Sequence, residues 1–369
     1  KNWSELPSIK GGLSENILNH LQVTTKQDIT KPETENADAY ALYLKAKNIF
    51  EKRKSANDTE TARQLLQKSI ELDNNLLLAK SLLARTYFGT PNLDKAMDIS
   101  VSTLKQAEQL DDKRGITSCL NMIGMIHRKN GNYDLALEHF KRALTVGELI
   151  GNKNGIAAIF NGLGNTYMAK DDFDVAMDYY KKALVIHEEF ENKIAITGFL
   201  QNLATIYYLK GDIDTALDYI KRALTISEEV GDIGGIGSAL YNLATFYYKK
   251  IDYDKALDYY KKSLSVEKQL GYTNGILEGF EIIGTIYNEL GDYDTALDYF
   301  NKLLDLSEEI DYKYGIIRSL YTIGVAHNNK GNYDTALENL EKSLDIQKES
   351  EIKDYEFEST IYLYLTYKH

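Results

Sequence analysis

Proline is almost missing from this chain of 369 residues, which has three, at Pro7, Pro32 and Pro91. An average protein has about 5%. Proline removes a backbone donor and clashes with the preceding helical turn, so a chain this poor in it is expected to be helical nearly throughout. Cysteine is scarcer still. Cys119 stands alone, which excludes an intramolecular disulfide framework and fits a reducing, cytoplasmic compartment. No apolar run approaches the roughly 18 residues that a membrane-spanning helix needs. Basic charge is in the minority, with 43 Lys and Arg against 55 Asp and Glu and a formal net charge of −12. Such a chain repels phosphate backbones and anionic lipid, so neither nucleic acid nor a membrane is an expected partner.

What is present points to a folded protein. Hydrophobic residues make up 43% and charged residues 27%, a balance that rules out wholesale disorder. The length suits two or three domains or one long array. The chain opens at Lys1 without a Met, which reads as a piece of something longer.

Internal self-similarity decides between those options. Six segments share one pattern: Gly131 to Leu137 (GNYDLAL), Asp171 to Met177 (DDFDVAM), Gly211 to Leu217 (GDIDTAL), Ile251 to Leu257 (IDYDKAL), Gly291 to Leu297 (GDYDTAL) and Gly331 to Leu337 (GNYDTAL). The spacing is 40 residues each time, and Pro91 to Met97 (PNLDKAM) is a seventh copy in the same frame. Asp58 to Arg63 marks a more divergent one.

Each unit reads as two helices. In the unit beginning near Lys153, Ile156, Phe160, Leu163 and Tyr167 fall on one face of a first helix, A. After a short turn, Asp172 is placed to cap a second helix, B, and Asp174 sits in its first turn, where the helix dipole favours negative charge. Helix B carries Phe173, Ala176, Met177, Tyr180, Leu184 and Ile186. Its pairs Asp178/Lys182, Asp218/Arg222, Asp258/Lys262, Asp298/Lys302, Glu138/Arg142 and Glu338/Lys342 stand at i, i+4. They are expected to be solvated structural pairs, each contributing about 0.2–0.5 kcal/mol.

At these residues the unit resembles the tetratricopeptide repeat. The family's bulky residue, Leu-Gly and Tyr on helix A, then Ala, aromatic and Ala on helix B, fall on Phe160, Leu163, Gly164, Tyr167, Ala176, Tyr180 and Ala183. The small helix A residue recurs as Gly124, Ala204, Ala244, Gly284 and Gly324, and the helix B Ala as Ala136, Ala216, Ala256, Ala296 and Ala336. Small residues there are expected where the two backbones approach most closely. The family's closing Pro is replaced by Glu188, and the period is 40 rather than 34. That makes it similar to the long-repeat arrays of kinesin light chains, the Leu-Gly-Asn spindle adaptor and bacterial Rap-type regulators. The stretch Thr34 to Leu44 resembles the join found in bacterial multidomain signalling proteins.

The resemblance implies an all-α fold, a right-handed α-solenoid of about eight helix-turn-helix repeats plus a terminal helix. The expected repeats are 38–73, 74–109, 110–149, 150–189, 190–229, 230–269, 270–309 and 310–349, with the terminal helix at 353–369. Residues 1–36 are expected to hold a short helix and a linker outside the array.

Signals for catalysis are weak. His127 and His327 occupy the helix A position held by Tyr167, Tyr207, Tyr247 and Tyr287, so they are read as packing substitutes. No His-Glu-x-x-His or paired-Cys spacing exists, so no metal and no cofactor is expected. Gly231 to Gly237 (GDIGGIG) looks like a phosphate loop, but no strand precedes it and the repeat phase makes it an inter-repeat turn. No catalytic residue is expected, and the chain is read as a non-enzyme.

The resemblance also implies that helix A lines a concave surface. The lining positions are Asn161 and Asn165 in repeat four; Gln201, Asn202, Thr205 and Tyr208 in repeat five; Tyr241, Asn242, Thr245 and Tyr248 in repeat six; and Glu278 and Glu281 in repeat seven. Carboxamides can pair with both groups of an extended backbone, and Tyr adds flat area at low entropic cost. The expected function is a protein-interaction scaffold that holds a peptide or a partner's helix, as the sensor arm of a bacterial signalling protein. The alternatives are a Rap-like, peptide-responsive regulator of a response regulator, and a homo-oligomer built through the terminal helices.

Overall fold

The turns set the geometry. In the computed structural model, one residue in the left-handed backbone region recurs every twenty positions, from Asp111 through Gly131, Gly151, Asp171 and onward to Gly331. Each ends a helix, and the amide following it reaches back to a carbonyl five residues earlier, as in Asp172 N–H to Tyr167 C=O at 2.9 Å and Asp232 N–H to Ser227 C=O at 2.9 Å. This closure satisfies carbonyls that a helix end leaves open. At many of these turns a polar side chain then caps the next helix. Asp212, Asp252 and Asp292 accept from Thr215, Lys255 and Thr295, and Asp112, Asn152, Asn192 and Asp232 do the same at the other set of turns.

The structure describes residues 34, 36–53, 55–350, 363 and 366. Among them are sixteen helices and no strand. They pair as α1 (Ala37–Glu51) with α2 (Ala56–Leu72), α3 (Leu77–Phe88) with α4 (Leu93–Gln109), α5 (Lys113–Lys129) with α6 (Tyr133–Leu149), and α7 (Lys153–Ala169) with α8 (Phe173–Glu189). The series continues with α9 (Lys193–Leu209) and α10 (Ile213–Val230), α11 (Ile233–Lys249) and α12 (Tyr253–Leu270), α13 (Thr273–Glu289) and α14 (Tyr293–Glu309), and α15 (Lys313–Lys330) and α16 (Tyr333–Ser350). The fold is all-α, with consecutive pairs packed as solenoid repeats. The described chain divides into two compact units, one up to Ile186 and one from His187. The helix expected within residues 1–36 lies outside the described residues. Of the terminal helix at 353–369, Leu363 and Thr366 are described, both helical.

Within a repeat the seam between helices A and B is dry. The helix B alanines Ala136, Ala176, Ala216, Ala256, Ala296 and Ala336 are all fully buried. The small residues of helix A have a more specific reason than close backbones. A Cβ at Gly164 would lie 2.6 Å from the Tyr180 ring, and one at Gly284 would lie 2.6 Å from the Phe300 ring. Gly124 faces Phe140 and Gly324 faces Leu340 in the same way. A large helix B side chain therefore fills the notch. Phe140 fills two notches, since Gly162 of the following repeat also rests on its ring.

Neighbouring repeats are latched at their edges. Lys170 donates to Asp134 at 2.6 Å and Lys250 to Asp214 at 2.6 Å, and Lys330 pairs with Asp294. The first-turn aspartates thus do more than meet a helix dipole. Of the expected i, i+4 pairs, Asp258/Lys262, Asp298/Lys302 and Glu338/Lys342 form at 2.5–2.7 Å. Lys182 lies over the Phe160 and Tyr179 rings, Arg222 over Tyr219, and Arg142 reaches Glu108 of the preceding repeat at 4.0 Å.

Candidate functional site

Because the seam consumes one face of helix A, the polar residues on its other side are displayed. All the lining residues named from the sequence are half-buried except Glu278, which is exposed. Many of them already bond to the next helix A. In the second unit, Gln201 on α9 donates to the Gly235 carbonyl on α11 at 3.4 Å, and the Tyr208 ring stacks on Phe246 at 4.9 Å. On α11, Tyr241 donates to Glu278 at 2.7 Å and Tyr248 to Glu289 at 2.8 Å, both on α13. Glu281 on α13 pairs with Arg318 on α15. Thr205 and Thr245 donate to carbonyls of their own helices, and Thr245 also meets the Tyr260 hydroxyl at 3.0 Å. In the first unit, Asn165 accepts from Tyr180 at 2.7 Å and donates to Asn161 at 3.3 Å.

These bonds shift the tyrosines. Burial first, and then the carboxylate each one serves, push Tyr241 and Tyr248 above the usual phenol range. Burial pushes Tyr180 up to about 12. All three are neutral donors at physiological pH.

Three of the lining residues, Tyr241, Asn242 and Glu278, meet in a cavity of about 340 Å³ on the second unit. Its other walls are Ser238 and Tyr260, Ser263, Leu264 and Glu267 of helix α12, with Gly275 and Gly279 of α13. The Tyr241 and Tyr260 rings meet edge to face at 5.6 Å. Glu267 crosses to the backbone of α13, where a Cβ at Gly275 would lie 2.5 Å from its carboxylate. Burial, and then the charge of Glu278, hold the Glu267 carboxyl above the usual carboxylate range.

Glu267 was not among the residues singled out from the sequence, although aligned repeats expose it. The same register holds Ala107, Gly147, His187, Ser227, Ser307 and Gln347 in the other repeats. Of these, Ala107, Ser227 and Ser307 are fully buried. The register of Glu278 reads Ser118, Ala158, Gly198, Ser238 and Arg318. No sister repeat has an acid at either position.

The remaining chemistry-bearing residues fall at packing positions. The His127 ring packs tilted against His139 at 5.2 Å, where Tyr167/Tyr179, Tyr207/Tyr219, Tyr247/Tyr259 and Tyr287/Tyr299 stack in other repeats at 5.4–6.0 Å. Burial, and then His139, hold His127 below the usual imidazole range. Cys119 is buried, which pushes its thiol up to about 11 and makes it a poor nucleophile. Of Gly231 to Gly237, Gly231 in the left-handed region and Asp232 as helix cap form the turn between α10 and α11, and residues 233–237 are the start of α11. Among the described residues no group of three or more His, Cys, Asp or Glu could hold a metal, and no helix is long and apolar enough to cross a membrane.

A family model described as tetratricopeptide repeat matches residues 115–189, 195–270 and 276–349. Among solved structures, a signal transduction ATPase with numerous domains from Pyrococcus horikoshii, carrying a tetratricopeptide repeat sensor, aligns with a TM-score of 0.71 at 16% identity. The alignment covers 95% of this chain and 54% of that one, so the chain spans about half the length of the Pyrococcus protein. A Rap protein complexed with competence and sporulation factor aligns with a TM-score of 0.56 at 15% identity, covering 89% of this chain and 98% of that one. Aspartyl phosphate phosphatase F from Bacillus subtilis gives 0.56 at 16% identity, covering 90% and 92%. At these identities the likeness is one of fold. No curated protein matches the sequence.

Proposed function

The chain belongs to the tetratricopeptide repeat family, and on that premise we propose that it is a protein-interaction scaffold whose helix A face binds a peptide or a partner's helix. The observation that carries this reading is the lining of α9, α11 and α13. Helix A there carries Gln201, Asn202, Tyr208, Tyr241, Asn242, Tyr248 and Glu281, all half-buried, and the exposed Glu278. Half-buried tyrosines and carboxamides offer rigid area and two-way hydrogen bonding, the qualities a site for extended polypeptide needs. Asn161 and Asn165 offer a similar surface in the first unit. The mechanism is binding alone.

Several lining side chains also join one helix A to the next, as Tyr241 does with Glu278. A ligand that competes for these groups therefore acts on the junctions between repeats. Arrays of this fold serve as the sensor of a signal transduction ATPase and occur in a Rap protein complexed with a factor. Carried to this chain, the reading is the sensor arm of a larger signalling protein.

Asn202 and Asn242 give the test. Both are half-buried lining residues away from the seam. Replacing both with Ala is expected to weaken partner binding at least tenfold, about two lost polar contacts, while the melting temperature stays within about a degree or two. Undiminished binding by the double variant overturns the assignment of the lining.

A further inference from the structure

A solenoid repeat has no structural need for a carboxylate at the Glu267 register. Sister repeats place Ala107, Gly147, His187, Ser227, Ser307 or Gln347 there, none of them an acid, and Ala107, Gly147, Ser227 and Ser307 are buried. The sixth repeat instead drives an acidic side chain across that junction, over Gly275, to within repelling range of a second carboxylate, Glu278. Three features coincide at this one junction. The cavity of about 340 Å³ lies there, at the small end of the roughly 300–1,000 Å³ that ligand pockets span. Two tyrosine rings, Tyr241 and Tyr260, form an edge-to-face wall. The ten lining residues include two acids and no base.

We propose that this cavity receives the guanidinium of an arginine side chain from the partner segment, held between the carboxylates of Glu267 and Glu278 and against the tyrosine wall. The proposal rests on the scaffold reading above and names the residue type that this part of the lining selects. A cation answers every oddity of the site. It neutralises two carboxylates that otherwise repel each other, and it sits on the negative face of a phenol ring. Guanidinium fits better than ammonium because it is flat, spreads its donors over two acceptors and is weakly hydrated. Glu278 already accepts the Tyr241 hydroxyl at 2.7 Å on one oxygen, which aims the carboxylate and leaves its second oxygen for the ligand. Burial of the Glu267 carboxyl raises the reward for bringing it a positive partner.

Leu264 lines the cavity, so its methyl groups report occupancy directly. The full chain, methyl-labelled at leucine, is titrated with N-acetylarginine amide, with the lysine counterpart and with the uncharged citrulline counterpart. A short arginine-containing peptide against its citrulline version separates an arginine within a polypeptide from the free amino acid derivative. The expected result is a saturable shift of the Leu264 signals with the arginine compounds and none with citrulline. Glu267→Gln and Glu278→Gln should each weaken that response roughly tenfold, the worth of one charge-assisted hydrogen bond. Glu267→Gln removes a partly desolvated charge that Glu278 repels, so it is expected to fold at least as well as the parent chain.

Silent Leu264 methyls, or an equal response to citrulline, overturn the proposal. An equal response to lysine overturns the choice of guanidinium. Partner binding that depends on Asn202 and Asn242 but ignores both glutamates leaves the scaffold standing and removes the pocket. A Leu264 response to the free derivative alone, with no peptide preference, removes the link to a polypeptide.

Discussion

Two faces of the same helices obey different rules. On the seam side, one register of helix A holds Gly124, Gly164, Ala204, Ala244, Gly284 and Gly324. On the lining side, another register of the same six helices holds Asn121, Asn161, Gln201, Tyr241, Glu281 and Tyr321. The first barely varies because a large helix B side chain fills each notch, and interiors are packed too densely to admit another methyl group. The second varies in size, charge and hydrogen-bonding capacity because its residues are half-buried and do not fill a notch of the seam. Where a chain repeats itself so strictly in its interior, what changes from repeat to repeat marks where specificity can reside.

The largest effect that can test this contrast is at the seam. Gly164→Val places its Cβ against the Tyr180 ring, where even a single carbon would lie at 2.6 Å. We expect a loss of about 1–3 kcal/mol, read as a lower denaturant midpoint, with binding by the second unit unchanged at temperatures where the chain is folded. An unaltered midpoint would remove the packing explanation.

A smaller effect, of opposite sign, is at a turn. Ile251 adopts a φ of 62° at a position where Gly131, Gly211, Gly291 and Gly331 stand in sister repeats. It is also 73% exposed, so its side chain gains little from packing. A β-branched residue in this backbone region is strained. Ile251→Gly is expected to raise stability by about 1 kcal/mol. A destabilised variant would show that Ile251 is held by contacts that matter more than the strain.

The smallest effect concerns the lining. Burial, reinforced by Glu278, raises the folded-state value of the Glu267 carboxyl. A carboxyl raised on folding favours the folded state below its ordinary value, and that advantage is lost as pH rises through the raised value. The stability of the parent chain relative to Glu267→Gln should therefore fall as pH rises through the ordinary glutamate range and level off above the raised value. Denaturant midpoints of the two chains, taken across pH, give the measurement. A constant difference would show that Glu267 faces water freely.

How much of this was legible in the sequence follows from the same contrast. The forty-residue period, the capping aspartates, the buried alanines and the glycine notches can all be read from it because each rests on local geometry. The packing role of His127 also follows, once the tyrosine register is seen. What could not be read is where side chains go when several partners are within reach. Tyr241 could have faced solvent and instead donates to Glu278 on the next repeat. Asp134 could have served only a helix dipole and instead reaches Lys170. Glu267 stayed hidden because helix B was read for its apolar stripe, whereas the anomaly shows only when the same register is compared down all the repeats.

The central claim is that the helix A lining of the second unit grips polypeptide. The most direct test places a photoreactive benzoylphenylalanine at Asn242, on the lining, or at Asp258, on the exposed face of α12. Each chain is irradiated with cell extract, and the adducts are mapped to the cross-linked segment. The account predicts a discrete polypeptide adduct from position 242 that an excess of the unlabelled parent chain suppresses, and no matching adduct from position 258. Adducts from position 258 with none from 242 would contradict it.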